Sequence, residues 1–432
     1  MNTRLHRRIV LASAVTTLAS LGASAAHASA FYLQEQSVRA AGRAYSGEAA
    51  DQGAASLWWN PAAIAGNATS TLYGGVSAIL PKGDVRNVGT LIGRPGQAPA
   101  PVTGNQVSKN PIDNGYLPSG AVAWKLNDQF AVGLAVTSPY SFSTNYESAS
   151  WARYTADKTK LTTIDLQPTI AFSPSPLIGI GIGLNIERSK ASLSNYIPNI
   201  FANLPDGHQT LRGKGWDVGY SVGVQLHPSP MFDFGLAYKS SIKHTLNGNV
   251  TVAGLLGPLA AGNRTVDTKA TFRTPWQAIA SARVHVSDAL TLNGQVVRAG
   301  WSKFDAIRLG APLGTVLDQN YKNSWSVAGG ADYAVTPKWT MRGGVQWDQT
   351  PTQDGFRDAR VPDASRINFA LGTSYAITES ITIDAAANYV DFKNSSIDRV
   401  APPPYAGASI VNSGRLTGAN ALVFALGGRM SF

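Results

Sequence analysis

Period-two alternation of large apolar residues with small or polar ones dominates the C-terminal half of the chain, the mark of strands whose two faces meet different surroundings. Along 324–333, Trp325, Val327, Gly329, Ala331 and Tyr333 alternate with Ser324, Ser326, Ala328, Gly330 and Asp332. The next run sets Trp339, Met341, Val345 and Trp347 against Thr340, Arg342, Gln346 and Asp348. Ile367, Phe369, Leu371 and Tyr375 then oppose Arg366, Asn368 and Ser374, and Ile381, Ile383 and Tyr389 oppose Thr382, Asp384 and Asn388. The last run sets Leu422, Phe424, Leu426, Met430 and Phe432 against Arg429, Ser431 and small residues. Long amphipathic strands are predicted throughout.

The connections alternate in length. Six short turns, at 127–129, 173–176, 227–230, 287–289, 336–338 and 378–380, are interleaved with seven long polar, Gly/Pro-rich segments near 81–115, 139–160, 191–212, 244–264, 303–321, 349–365 and 392–417. Together they join fourteen strands, with both chain ends on one side, the pattern of a transmembrane β-barrel with short periplasmic turns and long external loops. A soluble β-sandwich would instead show even spacing of about 8–12 residues between strand signals. Trp124, Phe172, Trp339, Tyr375 and Tyr389, near predicted strand ends, are candidates for interfacial aromatic girdles.

The N-terminus differs. Arg4, Arg7 and Arg8, an apolar stretch from Ile9 to Leu21, and the small-residue site Ala26-His27-Ala28 read as a cleavable secretory signal over 1–28. The stretch is shorter than the roughly 20 residues a spanning helix needs. Residues 29–70 then show no strand alternation and include "LWWNPAAIAG" at 57–66, two tryptophans against an Asn-Pro turn. A barrel of this size needs water or a plug in its interior, and 29–70 is the segment free to fill it, leaving 71–432 as the barrel.

Composition agrees with one exported architecture. Charged residues are 14% of the chain, cysteine is absent, and the formal charge of +10 falls to +7 without the leader's three arginines. No Lys/Arg run of the nucleic-acid-binding kind occurs, and the lack of cysteine removes disulfide scaffolds and thiolate metal sites. His208, His227, His244 and His285 sit in separate turns or loops without a Ser-His-acid pattern, so neither catalysis nor a cofactor is expected.

"FYLQEQSVRAAGRAYSGEAA" followed by Asn60-Pro61-Ala62 resembles the N-terminal hatch of the outer-membrane long-chain fatty acid transporter family, which includes importers of aromatic hydrocarbons. "WSKF" at 301–304, "YKNSW" at 321–325, "WDQTP" at 347–351 and "RDARVPDASR" at 357–366 resemble that family's C-terminal half. The resemblance implies an all-β fold, a fourteen-stranded antiparallel transmembrane barrel with a hatch in its lumen, in the outer membrane of a Gram-negative bacterium. It also implies passive uptake of hydrophobic molecules that leave sideways into the membrane. A monomer in contact with outer-membrane lipid is expected. An importer of neutral aromatic hydrocarbons is the alternative, and a general porin a further one.

The same resemblance assigns candidate residues. Asn60, Pro61 and Ala62 close the lumen near a kink in the third strand, where Pro139 removes a ladder hydrogen bond, and Ser138 falls at a position of the high-affinity ligand pocket. Tyr196, Ile197, Ile200, Phe201 and Leu204, with Leu255, Leu256 and Leu259, lie in two unusually apolar external loops; such patches mark binding surfaces, and the family places a capture groove there. The family's carboxylate-contacting arginine falls on Asn195 and its partner lysine near Leu317, leaving Arg188, Lys190 or Lys322 to provide the cation that a buried carboxylate needs.

Overall fold

The computed structural model describes residues 30–401 and 409–432; the predicted leader and Ser29 lie outside them. Fourteen antiparallel staves close into one barrel. They are β1 (Thr71–Asn87), β2 (Gly115–Lys125), β3 (Phe130–Thr137, resumed at Ser141–Asn145), β4 (Lys158–Ser175), β5 (Ile178–Ile197), β6 (Gly207–Ser229) and β7 (Phe232–Lys239, resumed at Lys243–Ala253). There follow β8 (Arg264–Arg273, resumed at Gln277–His285), β9 (Leu290–Ala299), β10 (Ser324–Thr336), β11 (Trp339–Asp348), β12 (Arg366–Ala376), β13 (Ile381–Phe392) and β14 (Ser409–Ser431). The ring closes where β1 meets β14, paired from Thr71↔Ser431 to Asn87↔Gly414 with one register shift between Lys82 and Asp84, so among the described residues no long sheet edge remains unpaired.

Alternation becomes a physical inside and outside. Ile182, Leu184, Val218, Val222, Leu236, Val345, Phe369, Leu371, Phe424 and Leu426 are exposed on the outer face, while Gln167, Asn185, Gln225, Gln295, Asp384 and Asn388 are buried inside. An apolar outer band around polar inward positions suits a bilayer, where only a closed barrel satisfies every strand's N–H and C=O groups. Of the expected girdle aromatics, Trp124, Trp339, Tyr375 and Tyr389 are exposed outward, and Phe172 is half-buried against Phe130.

The wall reaches further than the polar loops near 191–212 and 244–264 suggested. β5 and β6 stay paired from Ile178↔Leu226 to Ile197↔Gly207, and the upper halves of β7 and β8 pair from Lys243↔Arg273 to Val252↔Arg264. Outside the lipid nothing demands apolar outward residues, so these strand extensions carry polar side chains and read as loop.

Residues 30–66 add no stave and pack on the inner faces. Ser37 caps a short helix, α1 (Val38–Ala41), by accepting from the Ala40 N–H, and Asn60 caps the turn Pro61–Ile64 by accepting from Ala62 at 2.9 Å. The wall receives this segment at glycines. A Cβ on Gly223 would stand 1.8 Å from Asn60 Oδ1, on Gly181 2.2 Å from the Pro61 carbonyl carbon, and on Gly235 1.9 Å from the Ala49 oxygen. Trp58 packs edge-on to Trp59 and lies under the Lys239 ammonium, 3.3 Å from the ring centroid.

Charge ties the plug to the wall. Buried Arg43 pairs with Glu48, with Asp51 at 2.6 Å and with Asp332 of β10 at 2.8 Å; Arg283 of β8 also pairs with Asp51, and Arg342 of β11 reaches Asp332 at 2.7 Å. Removing one member of such a buried cluster leaves uncompensated charge, worth about 3–5 kcal/mol. Arg43→Ala is therefore expected to lower the melting temperature and loosen the plug while the ladder keeps the barrel. Planar-bilayer recordings should show ion currents absent from the parent; parental conductance and melting would exclude Arg43 as the tie.

Candidate functional site

A break in the wall and a cavity beside it form the site. The β2–β3 ladder runs from Lys125↔Ala131 to Gly120↔Val136 and stops. Further up, the strands rejoin through Asp113 N–H to Ser143 O at 3.0 Å and Asn145 N–H to Pro111 O at 2.8 Å. Among the described residues no ladder pairing joins 114–119 to 137–142. Pro139 stands on one side of this gap and Pro118 on the other, and neither brings an N–H to a ladder. Pro118 escaped the sequence reading because its strand is paired on its other edge, to Val76.

The N-terminal segment stands in for the missing neighbour. Leu33 N–H donates to Pro139 O at 2.8 Å, and Ser141 N–H donates to Phe31 O at 3.2 Å. Gln36 donates to Ser138 O at 3.0 Å and accepts from Ser138 N–H at 3.1 Å. The expectation that Asn60, Pro61 and Ala62 sit at the kink needs correction. Asn60 donates to Ala49 O at 2.7 Å and to Val224 O of β6 at 3.2 Å, and Pro61 rests on Gly181 of β5. The motif anchors the plug where two wall glycines let its backbone approach, and residues 31–36 cover Ser138 and Pro139.

Behind the break lies a cavity of about 90 Å³. Phe31, Phe142, Leu161, Leu193, Leu246 and Phe272 give it an apolar lining. Phe31 joins an aromatic stack with Trp301 (5.0 Å between centroids, edge-on) and Phe304 (5.3 Å) from the "WSKF" segment.

One end of the cavity is charged. Asp358 Oδ2 accepts from Arg360 Nη1 at 3.1 Å and from Arg399 Nη1 at 2.9 Å, and Arg360 Nη2 also donates to Asn195 Oδ1 at 3.2 Å. Burial pushes the Asp358 carboxyl up, but the two guanidiniums outweigh it and hold it below the usual carboxylate range. Two cations facing one anion leave this end net positive, and the buried Arg360 Nε has no hydrogen-bond partner among the described residues.

This overturns the choice of Arg188, Lys190 and Lys322 as cavity cations. Arg188 and Lys190 share the exposed face of β5 with Ile182 and Leu184, because strand parity sends both outward. Lys322 is half-buried outside the lining, its N–H bound to Pro351 O. The cation beside Asn195 comes from Arg360, and Leu317 lines the cavity as an apolar residue. Arg360 lies within the "RDARVPDASR" stretch, which signalled its neighbourhood; nothing local marked Arg399.

The apolar loops form a separate cluster. Asn199 ties them by donating to Gly254 O at 3.0 Å and accepting from Leu256 N–H at 2.9 Å. Ile197 and Leu255 are buried, Tyr196, Ile200, Leu204 and Leu259 half-buried, and Phe201 and Leu256 exposed. None of the eight lines the cavity.

Residues 19–432 match the profile of the outer membrane protein transport protein family, OMPP1/FadL/TodX. The chain belongs to this family. Its sequence is 26% identical over 412 residues to the long-chain fatty acid transport protein of Escherichia coli O6:H1, covering 88% of this chain and 90% of that one. It is likewise 26% identical over 424 residues to outer membrane protein P1 of Haemophilus influenzae, covering 88% and 90%. Its fold is similar to a FadL homologue of Pseudomonas aeruginosa (TM-score 0.81, 24% identity, 94% of this chain and 100% of that one). The toluene transporter TbuX of Ralstonia pickettii gives a TM-score of 0.62 at 16% identity over 88% and 94%. The chain is thus an outer-membrane transporter of hydrophobic molecules, not an enzyme.

The charged cavity end yields a direct test. Arg360→Gln leaves Asp358 paired with Arg399 but removes the cation beside Asn195, and charge-assisted hydrogen bonds contribute about 1.5–3 kcal/mol. Affinity for a fluorescent fatty acid should fall roughly ten- to a hundredfold, while that for a neutral hydrophobic dye stays within about threefold. Equal loss for both ligands would show that Arg360 only shapes the cavity.

Proposed function

We propose that this transporter takes long-chain fatty acids from the cell surface and releases them sideways through the gap between β2 and β3. The observation that carries the reading is an apolar cavity with a net-positive end, lying beside a wall break that residues 31–36 cover. The names of the fatty acid transport relatives support it. A neutral aromatic hydrocarbon remains the second reading, favoured by the uncharged Asn195 and Leu317 where the family resemblance expects cations.

Volume links binding to release. A space of about 90 Å³ is well below the 300 Å³ or more typical of ligand sites, so a ligand must displace part of the lining. Phe31 is the lining residue whose carbonyl also holds Ser141. Moving it enlarges the cavity and uncovers the gap in one step. Sideways exit is favoured energetically, because moving a sixteen-carbon chain into aqueous periplasm costs ~0.8 kcal/mol per CH₂, about 12 kcal/mol in all. In this reading exposed Phe201 and Leu256 gather ligand at the surface, and Asn60–Ala62 hold the plug in place while its first residues move.

Capture and exit are tested separately. Phe201→Asp with Leu256→Asp should slow uptake of dilute labelled fatty acid several-fold without changing the melting temperature; unchanged uptake at limiting substrate removes the loops from the pathway. For the exit, Ser119→Cys with Ser138→Cys can be bridged by a short bifunctional maleimide, which meets no other thiol because the chain has no cysteine. Bridged protein should bind ligand but not deliver it to the membrane. Delivery at the unbridged rate would rule out this route.

A further inference from the structure

Opposed like charges mark the outer surface of β4 to β8 above the apolar band. Lys190 of β5 stands directly across from Lys214 of β6, and Lys243 of β7 directly across from Arg273 of β8. All four are exposed. In register with the first pair come Asn247 and then Lys269, so one row across four neighbouring strands reads Lys190, Lys214, Asn247, Lys269. The row above adds Lys160 and Arg212, and the row below adds Arg188, stacked over Trp216 at 5.7 Å.

Among the described residues none of these eight cations forms a salt bridge. Asp267 is the acidic side chain on the same outward face, opposite Asn249, and Glu147 lies nearby in a depression it shares with Lys158 and Arg212. Directly opposed like charges destabilise a strand pair, so the arrangement is unfavourable unless anions lie on it.

Position says which anions. Along β5 the outward residues change from Ile180, Ile182 and Leu184 to Arg188 and Lys190, and along β6 from Val222, Tyr220 and Val218 through Trp216 to Lys214 and Arg212. Cations directly above an aromatic-topped apolar band sit at headgroup level. The free end of this wall is opposite the short turns that join β4 to β5, β6 to β7 and β8 to β9, and so faces outward from the cell. Below the patch the outer wall is indented, with Ala278 and Ala280 of β8 between Leu236 and Tyr238 on one side and Val296 and Trp325 on the other, a furrow shaped for an acyl chain. Beside it Arg298 lies 4.7 Å over the Trp325 ring.

We infer that this face is a binding surface for a phosphorylated glycolipid of the outer leaflet, with phosphates on the Lys190/Lys214 and Lys243/Arg273 pairs and an acyl chain along the furrow. Apart from Lys160, which also lines the transport cavity, none of these cations belongs to that cavity, so the occupant is a resident lipid rather than the cargo.

Native mass spectrometry of the full chain in detergent tests this, with bisphosphorylated lipid A, dephosphorylated lipid A and phosphatidylglycerol added in turn. The parent should retain bisphosphorylated lipid A at least tenfold more strongly than the other two. The variant Lys190→Gln, Lys214→Gln, Lys243→Gln, Arg273→Gln should lose that preference, and lipid A should raise the melting temperature of the parent but not of the variant. Without lipid the variant should melt no lower than the parent, since repulsion has been removed. Should four changes prevent folding, Lys190→Gln with Lys214→Gln gives the same reading at smaller amplitude. Equal lipid A retention by parent and variant overturns the assignment, as does equal retention of phosphatidylglycerol, which would mean charge attraction without a fitted site. Fatty acid uptake in detergent-independent vesicles should be unchanged in the variant, which separates failure here from failure of the transport reading.

Discussion

A backbone inside a bilayer has no water to satisfy its N–H and C=O groups, and the rest of this structure follows from that. It demands a closed ring, met by the pairing of β1 with β14. It also makes any interruption of the ring conspicuous. Prolines 118 and 139 create such an interruption between β2 and β3, and the groups it leaves are taken up by Phe31, Leu33 and Gln36. A segment that satisfies the wall by hydrogen bonds can also release it.

The plug divides into a fixed and a labile part. From Arg43 to Ile64 it is held by buried ion pairs to β8 and β10 and by backbone docking on wall glycines, contacts costly to break singly. From Phe31 to Gln36 it makes no ion pair to the wall among the described residues and is held by hydrogen bonds, those at the gap together with Tyr32 to Gln277, Gln346 to Gln34 and Ser77 to the Glu35 carbonyl, and by an aromatic stack beside a small cavity. Neutral bonds contribute about 1 kcal/mol each, so ligand binding can rearrange this part and leave the rest. In the proposed route this is the part that moves, where cavity and gap meet.

The outer face obeys the surrounding medium in layers. Where lipid lies against the wall, outward positions are apolar; at the interface they are aromatic; above it they are cationic and unpaired in rows. The upper layer is also where strands were hardest to read, because polar residues on both faces erase the period-two signal while the ladder continues unchanged.

Strand number, alternation and the segment left over for the lumen were legible in the sequence because each depends on local pattern: side-chain parity, turn residues, or the absence of both. The break at Pro139 was legible for the same reason, since a proline denies the ladder a donor wherever it sits, whereas Ser138, which the family resemblance put in the ligand pocket, is not among the residues lining the cavity. The place of Asn60, Pro61 and Ala62 and the identity of the cavity cation were not. Asn60 goes to β6 because Gly223 and Gly181 leave room there, and Arg360 reaches Asn195 across 165 positions of chain. Ring closure decides which distant residues become neighbours, and one step of strand parity sends Lys190 to the membrane side while Asn195 faces in beside Arg360. Pattern along the chain determined what kind of wall this protein builds; only the closed barrel decided which side chains meet inside it.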